Sequence, residues 1–96
     1  MKTLVITQHQ GYVEYLLEEG TIKDGDYDVI PHATPEDCRG RRVLTSGLPL
    51  HLGALCESLT TVPLYLPASL RGVELTSDDV RKYAQKAVTY KVQVIG

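Results

Sequence analysis

"RVLTSGLPLHLG", residues 42–53, decides how the whole chain is read. Arg42–Val43–Leu44–Thr45 is a short apolar run with the character of a buried strand. Ser46, Gly47 and Pro49 break it, and an apolar pattern with helical spacing runs from Leu48 to Leu59. A strand that passes through a hydroxyl, a glycine and a proline into a helix is the repeating unit of α/β architecture.

The same grammar continues on both sides. Thr3–Leu4–Val5–Ile6 predicts a first buried strand, and Tyr12, Val13, Tyr15, Leu16 and Leu17 share one broad helical face that stops near Gly20. In "DGDYDVIPHA" (24–33) a turn at Asp24–Gly25–Asp26 leads to a second strand, Tyr27 to Ile30. "TPEDCRG" (34–40) predicts a helical turn with Thr34 as N-cap, Pro35 at the first position and two acids in the first turn. Beyond the helix of Leu48 to Leu59, a fourth strand is expected at Val62 to Leu66, with Pro63 marking its start or an edge. Thr76 or Ser77 caps a last helix in "SDDVRKYAQKA" (77–87), and "VTYKVQVI" (88–95) alternates like a closing strand. The expectation is an α/β fold of about five mostly parallel strands flanked by helices, a single domain over 1–96.

Composition narrows the function. The 96 residues, 43% hydrophobic and 23% charged, suit one globular domain. A net charge of −2 argues against a general binder of long nucleic acid, which needs a basic face, but leaves room for a small anionic ligand. No run approaches the ~20 apolar residues that span a bilayer. "MKTLVITQ" has one lysine and then turns polar, so neither a signal peptide nor a membrane is expected. Cys38 and Cys56 lack metal-ligand spacing and read as reduced thiols of a cytoplasmic protein. Neither a metal nor another cofactor is implied by the three scattered histidines.

Ligands of open α/β sheets bind outside the carboxyl ends of parallel strands, where loops enter helices. Two loops qualify: Thr7–Gln8–His9–Gln10–Gly11 and Thr45–Ser46–Gly47–Leu48–Pro49. Each has a hydroxyl at the strand end and a glycine that permits close backbone approach, and free N–H groups at a helix start suit an anion. Two readings stay open for the second loop: a phosphate cradle, or Ser46 as a helix cap with Gly47 serving the turn and Pro49 a first-turn residue. His9 is placed at the ligand edge. His51, early in an apolar helix, reads first as a half-buried residue satisfied by backbone and second as a ligand contact. His32, at the end of the second strand, could orient a loop. Arg39, Arg41 and Arg42 read as a solvated turn at the amino end of their strand. Arg71 either contacts phosphate through its guanidinium or pairs with Glu74.

"TQHQGYVEYLLEEG" (7–20), "SGLPLHLGALC" (46–56) and "LPASLRGVELTSDDV" (66–80) together resemble a family of small CRISPR-associated proteins found with type III systems. The family's ordered motifs fall here on Thr7–Tyr12, His32–Pro35, Ser46–Ala54 and Leu66–Leu75. This chain departs from them at Gln8 (an arginine in the family), at Gln10 (a proline) and at Thr34 (an aspartate). The resemblance implies a compact Rossmann-like domain, related to those that sense cyclic oligoadenylates (CARF-like). It also implies ring nuclease activity, which opens the messenger and switches signalling off.

On that reading the partner is a cyclic oligoadenylate, with cyclic tetra-adenylate first, and the protein is a homodimer, because a ring has rotational symmetry. RNA supplies its own nucleophile, the 2′-OH, so cleavage needs alignment, charge stabilisation and a proton carrier, with no metal. His9 would carry the proton and Arg71 would stabilise charge. Thr7, Gln8, Gln10, Gly11, Ser46, Gly47, Leu48, Pro49 and His51 would contact the ligand. Tyr12 reads as a core residue ahead of an adenine-stacking one. The alternatives are a messenger sponge that binds without cutting, favoured by Gln8, and a small protein-interaction subunit.

Overall fold

Residues 2–96 are described by a computed structural model. The chain runs β1 (Thr3–Ile6), α1 (Gln10–Glu18), β2 (Tyr27–Ile30), α2 (Pro35–Cys38), β3 (Arg42–Thr45), α3 (Leu50–Gly53) and β4 (Ser58–Thr61), then a 3-10 turn (Ala68–Leu70), α4 (Ser77–Tyr83) and β5 (Val88–Tyr90). The sheet order is β2-β1-β3-β4-β5. β1 to β4 are mutually parallel, and β5 closes the edge antiparallel to β4. This is the α/β fold expected from the sequence. Among the described residues no helix is long and apolar enough to cross a membrane.

Alternation along the central strands creates two cores. Val5 and Leu44 point to the face covered by α1 and α4, where they meet Tyr12, Val13, Leu16, Leu75 and Val80. Leu4, Ile6 and Val43 point to the other face and pack with Cys38, Cys56 and Leu59 under α2 and α3. Tyr12 is fully buried, and its hydroxyl donates to the Val62 carbonyl at 3.0 Å, which gives the one polar atom of that ring a partner. It belongs to the core and has no face free for an adenine. Thr34 is the N-cap expected and Thr76, rather than Ser77, is the second; each closes a capping box, with Asp37 and Asp79.

Four elements differ from the sequence reading. The helix expected over Leu48–Leu59 is only Leu50–Gly53. The chain turns after it because the backbone of residues 55–57 bonds back around the start of β3: Gly40 N–H donates to Leu55 O at 2.9 Å and Glu57 N–H to Arg41 O at 2.8 Å. The strand expected at Val62–Leu66 lies instead at Ser58–Thr61. The Val62 N–H makes the last bond of that ladder, to Thr45 O at 3.0 Å, and Pro63, which has no N–H, ends it. The last helix stops at Tyr83 because Ala84 turns extended to bridge Leu64, and the closing strand covers only Val88–Tyr90.

Burial raises the thiols of both Cys38 and Cys56, the latter from 9.0 to about 11. The unfolded chain therefore loses these protons at lower pH than the folded one, so the thiols' contribution to stability is full below pH 9.0 and falls as pH rises beyond it. Urea unfolding between pH 8 and pH 11 is expected to show that fall, and a Cys38→Ala/Cys56→Ala variant to show a shallower slope, whatever its starting stability.

Candidate functional site

β1 and β3 are neighbours, yet α1 leaves β1 toward one face of the sheet and α3 leaves β3 toward the other. The loops therefore diverge at the carboxyl ends of the two strands and leave a crevice of about 680 Å³, at the topological switch point where such folds bind ligands. The Thr45 hydroxyl, buried at the end of β3, donates to Ile6 O at 2.9 Å and ties the two strand ends together beneath it.

The first loop brings Thr7, Gln8 and His9 to the crevice, and the second brings Ser46, Gly47, Leu48 and Pro49. Thr7 Oγ1 accepts from the His9 N–H at 3.1 Å, a local turn that sets His9 as the N-cap residue of α1. Among the described residues no side chain caps that helix and no acid lies in its first turn, so its leading N–H groups have no side-chain acceptor. Gly47 has open space around its α-carbon, which leaves its backbone accessible. The His9 ring is 31% exposed, while its Nδ1 is buried without a hydrogen-bond partner, 3.7 Å from Glu74 Oε1.

Four of the expected site residues are placed differently. Gln10 lines an adjoining hollow of about 490 Å³ on the other side of the first loop. Gly11 does permit a close backbone approach, but to the protein itself: a Cβ there would lie 2.2 Å from the Leu75 carbonyl oxygen. His51 is exposed on the short α3 and does not line the crevice, where Leu52 stands instead. Arg71 is exposed outside the crevice wall, and no ion pair joins it to Glu74, which faces His9.

Sequence reasoning missed the contribution of the third parallel strand. Pro31 and His32, just beyond β2, line the crevice, as does the Gly72–Val73–Glu74 segment that leads to α4. The first was findable, since all parallel strands end at one edge of the sheet; the second depends on tertiary packing. Arg39 pairs with Glu36 at 3.2 Å on the surface, whereas Arg41 is half-buried and binds Asp28 at 3.1 Å and the Lys2 carbonyl at 3.2 Å. Among the described residues no lysine or arginine lines the crevice. Its chemistry is that of backbone amides, hydroxyls, one glutamine amide, two imidazoles and a carboxylate, Glu74, that faces His9.

A family model described as "Putative CRISPR-associated protein (Cas_VVA1548)" matches residues 4–93 of the chain. No curated protein and no solved structure matches it.

The two loop glycines give opposite expectations. Gly11→Ala should cost about 3 kcal/mol, the upper end of overpacking against unyielding backbone. Gly47→Ala should stay within about 0.5 kcal/mol, because nothing lies within 4 Å of its added methyl group. Chemical denaturation of both variants checks the contrast.

Proposed function

The chain belongs to the Cas_VVA1548 family of CRISPR-associated proteins, and on that premise we propose that it binds a cyclic oligoadenylate of type III antiviral defence in the cytoplasm and opens the ring. The observation that carries this reading is the switch-point crevice, which combines an uncapped helix start, an open glycine loop and a half-buried imidazole. A phosphodiester is an anion that needs donors more than apolar walls, and the amides of the two loops are donors at the right edge of the sheet. A two-fold homodimer would offer a symmetric ring two such crevices.

The chemistry follows from RNA itself. The ribose 2′-oxygen attacks the adjacent phosphorus as His9 takes its proton, the bond to the 5′-oxygen breaks, and that oxygen receives a proton. The product is a linear oligoadenylate with a 2′,3′-cyclic phosphate and a 5′-hydroxyl, and no water is consumed. The loop amides, with Ser46, stabilise charge on the phosphoryl oxygens, and the walls align the 2′-oxygen opposite its leaving group. Arg71, outside the wall, has no part in this scheme.

A second reading, a sponge that holds the messenger intact, is favoured by a crevice without lysine or arginine, where Gln8 is an exposed neutral side chain. Both readings are tested by incubating excess protein with cyclic tetra-adenylate in EDTA and separating the products. The expected result is linear product, reduced at least ~100-fold in His9→Ala. An intact ring that co-elutes with the protein supports the sponge, and an intact ring that does not bind overturns the tetra-adenylate assignment.

A further inference from the structure

We propose that Glu74 is the positioning residue of His9: its carboxylate accepts a hydrogen bond from Nδ1–H and so leaves Nε2 as the unprotonated nitrogen available for proton transfer. Nδ1 has no accessible surface and no hydrogen-bond partner, and the carboxylate oxygen facing it is Glu74 Oε1 at 3.7 Å. A buried ring nitrogen without a partner is costly, and a carboxylate within a fraction of an ångström of hydrogen-bonding range is the acceptor that relieves it. The Glu74 side chain is 70% exposed and free to close that gap by a small rotation.

The backbone around Glu74 is fixed, and Gly11 fixes it. The missing Cβ at Gly11 lets the Leu75 carbonyl press against the first turn of α1. Leu75 is buried in the core beneath that helix, and Thr76 caps α4 through Asp79. Position 74 is therefore anchored on its C-terminal side directly against the loop that carries His9. The arrangement also accounts for a carboxylate in the wall of an anion-binding crevice: its charge is directed at the imidazole. A carboxylate that holds one imidazole nitrogen selects the tautomer and orientation at the other.

The role in catalysis rests on the ring-opening reading above, whereas the pairing with His9 does not, and the experiment separates them. Long-range nitrogen–proton NMR spectra of the ¹⁵N-histidine-labelled, ligand-free chain report the tautomer of each neutral imidazole, with His32 and His51 as internal controls. The wild type is expected to show His9 protonated at Nδ1. Glu74→Gln, which keeps an acceptor oxygen, should preserve that state, and Glu74→Ala should move the proton to Nε2, the form preferred by an imidazole in water. In single-turnover reactions with cyclic tetra-adenylate, Glu74→Ala should slow ring opening about 100-fold while ring affinity stays the same or tightens.

A wild-type His9 protonated at Nε2, or a tautomer unchanged in Glu74→Ala, overturns the pairing. A changed tautomer with undiminished cleavage overturns the positioning role. A tautomer that responds as expected in a protein that never opens the ring supports the pairing and overturns the ring-opening reading alone.

Discussion

The pairing of β1 with β3 is the constraint on which the rest of the molecule depends. Its register sets Leu4 beside Val43, Val5 beside Leu44 and Ile6 beside Thr45, so both strands end at the same level. The Thr45 hydroxyl, bonded to Ile6 O at 2.9 Å, closes the pair at that end. Because side chains alternate along a strand, this register also decides which residues feed each core: Val5 and Leu44 one, Leu4 and Val43 the other. A shift by one residue would exchange the two faces and separate the loops that form the crevice. The site and the core are consequences of a single alignment.

The two faces are unequal. On one, α1 and α4 pack against each other, with Tyr12 and Leu16 of α1, Val80 of α4 and Leu75 all fully or almost fully buried. On the other, α2 and α3 have four residues each, and the cover is completed by loops and by Val92 beyond β5, which lies near Gly53. Lys91 supports that crossing by donating to Cys56 O at 3.1 Å and Glu57 O at 3.2 Å. The first face is thus the more fully packed one, and His9 and Glu74 both belong to the segments that enter its helices. The second presents the more open loop, from Ser46 to Pro49.

Much of this was legible in the sequence, and the exceptions share a cause. Thr3–Ile6 and Arg42–Thr45 read as strands because their apolar runs match their burial, the edge strand Tyr27–Ile30 because its residue types follow a turn, and Thr34 as an N-cap from its place before Pro35. Seven of the expected ligand-edge residues line the crevice because strand ends and their loops are local features. The failures came where long-range pairing overrode local pattern. Leu55 and Leu59 continue a helical spacing from Leu48, but backbone bonds to Gly40 and Arg41 pull that stretch into a turn and a strand. Gly11 carried a correct local signal, close approach, with no indication of what would approach. Glu74 could be weighed only against its sequence neighbour Arg71, because nothing local says that Leu75 docks on the first turn of α1.

The charge pattern of the crevice bears on the kind of work it can do. Enzymes that transfer phosphoryl groups commonly draw on arginine, lysine or a metal to offset developing charge. Here the described wall has no cationic side chain that is permanently charged, and the acid it does hold faces His9. What is left is orientation: neutral loop amides, a strand end tied down by Thr45, and the His9 imidazole beside Glu74. Ring opening by the substrate's own 2′-hydroxyl is the phosphodiester reaction that asks least for charge and most for alignment. The proposed reaction therefore draws on what this crevice has, fixed geometry, rather than on charge that its described wall lacks.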